Sequence, residues 1–209
     1  QLFGDEHFNI GVVWNECTKQ IFGLSGGYPK GNQCGSVMAM AAIGDPSKYY
    51  DAFWSNLFVH HPDKRIDYER FRKIVASSEE EGYHVAAALQ RSTEDFVKAV
   101  LKNFIDLEKP KNICFSGGVA LNSVMMGKLL DWYDGVENVY VCPVPYDGGL
   151  CIGAAQYTWH SVLGNDRIEW VDNCSPYLGK TYSEDEVTTT LAKYEEVGLV
   201  KKKDASYPT

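Results

Sequence analysis

The sequence predicts an α/β fold, and two junctions carry that prediction. The first is Asn112-Ile-Cys-Phe-Ser-Gly-Gly-Val-Ala-Leu-Asn122, an apolar run that meets a paired-glycine turn and then a helix. The second begins with Val139-Tyr-Val-Cys142 and continues as Pro145-Tyr-Asp-Gly-Gly-Leu-Cys-Ile-Gly-Ala-Ala155, where a strand ends at a lone aspartate and another Gly-Gly helix start. Short β-branched or aromatic runs closed by Gly or Pro read as buried parallel strands. With a helix over Ala120 to Trp132 between them they form a βαβ unit, whose crossover is expected to be right-handed. Two such junctions in succession place backbone N–H groups and helix N-termini along one sheet edge, a geometry suited to phosphate. Glycines also serve tight βα turns that bind nothing, so a plain turn stands beside the ligand reading.

The remaining elements follow from periodicity and punctuation. Ile10, Val13, Trp14, Cys17, Ile21 and Leu24 recur at intervals of three and four and mark one face of a helix over 9–24. Gly23 to Gly35 holds five glycines and Pro29 and reads as a loop. Val37 to Ile43 is the next helix, stopped by Gly44-Asp-Pro46, and Ser47 is expected to cap another through Tyr50, Phe53, Trp54 and Leu57. His60 to Ala76 is charged and less regular. Ser78-Glu-Glu-Glu81 resembles a capping box, leading into the longest helix, with Val85, Leu89, Phe96, Val100 and Phe104 on one face as far as Pro110. Leu150 to Val162 is helical, and after Gly164 the chain turns polar until a helix at a Ser183/Glu186 capping box. The expected division is 1–165 and 166–209.

Composition narrows the class of protein. With 209 residues, 44% of them hydrophobic and 23% charged, the chain has the make-up of a soluble globular protein. A net charge of −8 argues against nucleic acid as a partner, because phosphate-backbone binders carry a basic footprint. Cys17, Cys34, Cys114, Cys142, Cys151 and Cys174 form no C-x-x-C pair and read as small buried hydrophobes in a reduced compartment. No apolar run is long enough to span a membrane, and the expected location is the cytoplasm. The opening at Gln1 and the abrupt end at Thr209 are read as the limits of a fragment.

Few residues carry chemistry in a recognisable pattern. Gly117 and Gly118 let a ligand approach the backbone, and a helix beginning near Val119 offers unpaired N–H groups. Asn122 lies one turn further in and either hydrogen-bonds on that side or faces solvent. Asp147 either complements a helix N-terminus or binds a hard cation together with ligand phosphates. Lys30 and the glycines of 23–35 do not spell a Walker loop. His7, His60, His61, His84 and His160 show no metal-ligand spacing, and the last two are expected to be packing or surface residues. Cys114 is expected to sit mid-strand, where burial blunts a thiol as a nucleophile. No catalytic residue is assigned.

Ser116-Gly-Gly-Val-Ala-Leu-Asn122, the spacing to Asp147-Gly-Gly-Leu-Cys-Ile-Gly-Ala-Ala155 and the upstream Gly35-Ser-Val-Met-Ala-Met-Ala-Ala-Ile-Gly-Asp-Pro46 together resemble the O-carbamoyltransferases. That family includes the nodulation-factor, cephalosporin and tobramycin carbamoylating enzymes. Its first domain is similar to the tRNA threonylcarbamoyladenosine synthases. The fold implied is half of an actin, sugar-kinase and chaperone-ATPase (ribonuclease H-like) domain, a mixed sheet with flanking helices. Pro176-Tyr-Leu-Gly-Lys-Thr-Tyr-Ser183 looks like the family's passage into its carboxyl-terminal domain.

The resemblance implies a chemistry. Carbamoyl phosphate and ATP give a carbamoyl-adenylate and pyrophosphate, and the carbamoyl group then passes to the hydroxyl of a small-molecule acceptor. Ser116, Gly117, Gly118 and Asn122, with Gly35 and Ser36, are the implied nucleotide-binding residues. Asp147 is the implied ligand of a divalent metal, iron or magnesium. The implied partners are the other half of the domain and a carboxyl-terminal domain. Two departures stand out: the family's His-x-x-x-His metal motif would precede Gln1, and a loop lysine is replaced by Ser36. A threonylcarbamoyl-type tRNA modifier and a non-catalytic nucleotide-binding module are the rival readings.

Overall fold

A computed structural model describes residues 10–23, 33–55, 68–167 and 179–198. Within these the chain is mixed α/β, mostly helical, with a small parallel sheet. It divides into two compact units, Gln1–Asp166 and Arg167–Thr209. The first contains helices α1 (Ile10–Ile21), α2 (Cys34–Met40), α3 (Tyr50–Phe53), α4 (Tyr68–Val75) and α5 (Glu79–Glu108). Strand β1 (Asn112–Phe115) follows, then α6 (Ser123–Met126), α7 (Leu129–Trp132), β2 (Asn138–Val141) and α8 (Leu150–Tyr157). Leu24, most of the 23–35 loop, Lys30, Leu57, His7, His60, His61, Cys174 and Pro176 to Leu178 lie outside the described residues.

The apolar stripe of α1 is used as its spacing predicts: Val13, Trp14 and Cys17 are buried, and burial pushes the Cys17 thiol far up. The second helix starts earlier than expected. Gly35 lies in the first turn of α2 and not in the loop, because the N–H groups of a first turn need no helical partner and glycine is tolerated there. The next cap also differs from expectation. Asp45, not Ser47, caps the start of the 3-10 turn Pro46–Lys48, its carboxylate accepting from the Ser47 N–H at 2.9 Å and the Ser47 hydroxyl at 2.7 Å. Those bonds hold the Asp45 carboxyl below its ordinary range. Within the segment expected to be irregular, residues 68–75 form α4. Phe71 and Val75, four residues apart on one face, are its buried apolar side chains among the described residues, interleaved with Glu69, Arg70, Arg72 and Lys73.

Helix α5 is the axis of the first unit. Ser78 caps it, its hydroxyl accepting from the Glu81 N–H at 3.3 Å, and Lys109 closes it in the left-handed region at φ 46°. From His84 to Leu89 every residue is buried, against α1, α2, α3 and α4. The run Ala86-Ala87-Ala88 lets those helices approach its backbone closely. Phe53 and Leu89 are fully buried here, each contributing about 1.5–3 kcal/mol of apolar transfer energy. The buried Trp14 indole donates to the Thr93 hydroxyl at 3.0 Å, so the polar end of the ring is satisfied. Past Thr93 the packing face rotates. Leu101 and Ile105 face the βαβ unit, whereas Phe104, expected on the core side, is exposed.

The βαβ unit packs its small core from Ile105, Leu129, Tyr133 and Val136, with Ile113, Phe115 and Val139 against it. Strands β1 and β2 are parallel, Asn112 opposite Asn138 through to Phe115 opposite Val141. Each strand alternates exposed and half-buried residues, so the two faces are unequal and the strands are not buried on both. Cys114 is consequently exposed, and Cys151 is exposed as well, against the expectation of buried thiols. The helix expected over Ala120 to Trp132 is broken into the 3-10 turn Gly118–Leu121 and helices α6 and α7. Helix α8 runs on into a π turn at Thr158–Val162. No helix among the described residues is long and apolar enough to cross a membrane.

In the second unit, helix α9 (Glu184–Glu196) opens on a complete capping box. The Ser183 hydroxyl accepts from the Glu186 N–H at 3.2 Å while the Glu186 carboxylate accepts from the Ser183 N–H at 2.8 Å.

Two outcomes test this packing. A Cβ at Gly44 would lie 1.9 Å from the Tyr83 carbonyl oxygen, backbone that cannot yield without moving α5. Gly44→Ala should therefore destabilise the chain by about 2–4 kcal/mol in urea unfolding. Burial first, then carboxylate acceptors, pushes Tyr49 and Tyr50 up to about 12: Tyr49 donates to Glu81 at 2.6 Å and Tyr50 to Asp95 at 3.0 Å. Their folded values exceed the unfolded one, so stability is intact below about pH 10 and falls as pH rises towards about 12. Urea midpoints measured across that window should decline, and less steeply in Tyr49→Phe.

Candidate functional site

Parallel register brings the two glycine junctions side by side. With Phe115 opposite Val141, both strands end at one level, and the Cys142 N–H continues the ladder to the Phe115 carbonyl at 3.3 Å. One residue past the strand, the Ser116 hydroxyl donates to the Pro145 carbonyl at 3.4 Å, and the Gly117 N–H donates to the same oxygen at 2.6 Å. Asp147 stands two residues beyond that carbonyl.

The two glycine pairs do different work. Gly117 adopts φ 100°, which a side chain would strain, and a Cβ at Gly117 or Gly118 would meet nothing within 4 Å. Open space therefore fronts the first turn. At the second junction a Cβ on Gly149 would lie 2.2 Å from the Val144 oxygen, and one on Gly148 would lie 2.8 Å from the Tyr146 ring. This pair serves close packing around Asp147. Asp147 itself is exposed and opens the 3-10 turn Asp147–Gly149, with Tyr146 at the cap position. A carboxylate in that first turn complements the partial positive charge of the helix start.

Asn122 does not face solvent. It is buried, and its Oδ1 accepts from the Met125 N–H at 3.0 Å, capping α6. Its amide also pairs reciprocally with that of Gln90: Asn122 Nδ2 donates to Gln90 Oε1 at 2.8 Å, and Gln90 Nε2 donates to Asn122 Oδ1 at 3.2 Å. Gln90 Nε2 donates as well to Glu94 Oε1 at 2.7 Å, and Lys128 Nζ reaches both Glu94 oxygens at 2.7 and 2.8 Å. Glu94 is buried while Lys128 keeps partial access to water. Sequence reasoning missed Gln90, Glu94 and Lys128. Their one signal was a pair of polar residues four apart, following a run of alanine and leucine.

Gly35 and Ser36 are exposed in the first turn of α2. That turn is tied to α1 through Cys34, whose sulfur lies 3.3 Å from the Thr18 hydroxyl and donates to Asn15 Oδ1 at 3.6 Å. Two residues past Ser36, the Met38 sulfur lies 4.0 Å from the Ser123 hydroxyl, so α2 reaches the segment after the glycine turn. His84 is buried, with Nδ1 accepting from the Asp45 N–H at 2.8 Å, and His160 Nδ1 lies 3.2 Å from the Asn165 carbonyl oxygen. Both histidines have local structural partners. Among the described residues no group of three His, Cys, Asp or Glu gathers as a metal site. One exposed carboxylate at Asp147 does not by itself fit a resident ion.

Two parallel strands ending in a tied pair of glycine junctions, with open space before the first, define the open strand-end edge of an α/β protein. Residues 8–156 match the family described as Carbamoyltransferase N-terminus, and the chain belongs to that family. It is 29% identical over 164 residues to the nodulation protein NolO of Bradyrhizobium diazoefficiens, which covers 72% of this chain and 28% of that protein. It is 27% identical over 163 residues to the nodulation protein NolNO of Sinorhizobium fredii, covering 72% of this chain and 23% of that protein. An uncharacterized protein of Synechocystis, sll1178, is 34% identical over 110 residues, 51% of this chain and 18% of its own length. The match thus spans between 18% and 28% of the length of these relatives.

Replacing Asn122 by alanine removes a helix cap and strands the buried Gln90 amide. Asn122→Ala should cost about 2–4 kcal/mol, read as a lowered urea midpoint with an unchanged denaturant slope.

Proposed function

We propose that this chain forms part of an O-carbamoyltransferase in which the Ser116–Gly118 turn receives ATP. Carbamoyl phosphate is hydrolysed to carbamate and orthophosphate, a carbamate oxygen attacks the α-phosphorus of ATP to give carbamoyl-adenylate and pyrophosphate, and a hydroxyl of a small-molecule acceptor then attacks the carbamoyl carbon and displaces AMP. The observation that carries this reading is the open space before Gly117 and Gly118 at the carboxyl ends of two parallel strands, in a chain of the carbamoyltransferase family. Open α/β sheets bind ligands at that edge, and free backbone N–H groups favour phosphate oxygens. We place the fold in the actin, sugar-kinase and chaperone-ATPase superfold and the protein in the cytoplasm, where both phosphorylated substrates are available.

Roles follow for the remaining residues. Ser116 and Asn122 fix the shape of the turn, and Gly35 and Ser36 of α2 meet the nucleotide from the neighbouring helix. Asp147 supplies one carboxylate to a divalent ion, iron or magnesium, whose other ligands come from the rest of the domain. Carbamoyl transfer in this reading requires that remainder and the carboxyl-terminal domain. The lack of a three-ligand group among the described residues also favours a second reading, a non-catalytic nucleotide-binding module.

Calorimetric titration of this chain with ATP, in the presence and absence of magnesium, tests the proposal. Gly118→Ala adds a methyl where nothing lies within 4 Å, so the unfolding free energy from urea denaturation should change by less than about 0.5 kcal/mol while ATP affinity falls about tenfold or more. Asp147→Ala should remove the magnesium dependence and leave the fold intact. The chain alone should release no pyrophosphate from carbamoyl phosphate and ATP. Unchanged ATP binding in Gly118→Ala would remove the turn from the site.

A further inference from the structure

We propose that Gln90, Glu94 and Lys128 form a positioning network that holds the glycine turn in its open, ligand-ready shape through Asn122. The inference rests on the ATP reading only for the identity of the ligand; the positioning itself is a statement about the fold.

The network runs unbroken from the protein surface to the turn. Lys128 Nζ, partly open to water, binds both oxygens of Glu94, one of which also accepts from the Gln90 amide at 2.7 Å. Gln90 and Asn122 then close a reciprocal pair, and Asn122 Oδ1 continues to the Met125 N–H. Asn122 is also the residue at which the 3-10 turn Gly118–Leu121 ends and α6 begins. Its own backbone N–H donates to the Val119 carbonyl at 3.0 Å. Both ends of the turn are therefore held: Gly117 by the Pro145 carbonyl, Asn122 by the Gln90 amide.

Chemistry explains why polar groups serve here. An apolar contact leaves a side chain free to slide, whereas a reciprocal amide pair fixes distance and direction together. Buried polar groups carry a desolvation penalty that only their mutual bonds offset, so each member enforces the position of the next. Glu94 orients the Gln90 amide, since a carboxylate accepts only and must meet the NH₂ end. That choice forces Gln90 Oε1 towards Asn122 Nδ2. The arrangement is an amide-orienting device anchored on the rigid middle of α5, a helix buried on both sides of this point.

Gln90→Met keeps volume and removes the bonds, and the test is amide hydrogen exchange of the full chain without nucleotide. Exchange across 117–122 should rise about tenfold while Val85 to Leu89 of α5 stays unchanged. Glu94→Gln, a milder variant that keeps acceptor and donor atoms in reach, should give about a threefold rise and covers the case in which Gln90→Met does not fold. An equal rise across α5 and the turn, or no rise at 117–122, overturns the inference. A parallel ATP titration separates this from the proposed function. Weaker ATP binding in both variants, at unchanged saturation enthalpy, supports positioning. If the wild type binds no ATP the nucleotide reading fails, and hydrogen exchange still decides the positioning.

Discussion

Helix α5 is the constraint on which the rest of the first unit depends, because among the described residues it is the element that contributes buried side chains to both apolar clusters. Its amino-terminal half is enclosed by four other helices, and its carboxyl-terminal half carries Ile105 into the core of the βαβ unit. Between the two halves, Gln90 and Glu94 replace apolar contact with directed hydrogen bonds. A helix buried on so many sides has little freedom to rotate, since any rotation would expose Leu89 or strand the Gln90 amide. The turn that the proposed function depends on thus takes its position from a residue more than twenty-five places earlier in the chain.

The pairing of β1 with β2 supplies the second constraint. Four residue pairs in register are few, and the Pro145 carbonyl extends their grip beyond the ladder by taking hydrogen from both Ser116 and Gly117. Two junctions that arise thirty residues apart are thereby joined through one oxygen atom. The shape of this edge separates the glycines that front open space, Gly117 and Gly118, from Gly148 and Gly149, which pack against Tyr146 and Val144.

Much of this was legible from residue spacing, and the failures have physical causes. The stripe of α1, the caps at Ser78 and Ser183 and both strands follow from local chemistry that tertiary context did not override. The cap at Asp45 was misplaced because Asp and Ser both accept from a first-turn N–H, and only geometry chooses between them. Helix α4 is hard to read because it spans only eight residues, four of them charged, although Phe71, Ile74 and Val75 fall on one face. At the site, the glycine pairs could be read but their difference could not, since it lies in the positions of Val144 and Tyr146. The Gln90–Glu94–Lys128 group left only the weak signal of a polar pair four apart, because polar residues on a helix ordinarily face water.

The short link from α5 to β1 acts as a ruler. Only Lys109, Pro110 and Lys111 separate the helix from the strand, and Lys109 takes up the sharp reversal in the left-handed region. The Lys111 carbonyl then accepts from the N–H groups of Glu137 and Asn138 at 2.7 and 3.0 Å, so the same link also sets where β2 begins. Inserting one residue there would turn Ile113 and Phe115 to the opposite face and carry Ser116 and Gly117 out of step with Pro145. Length, and not only residue type, is therefore under constraint in this link.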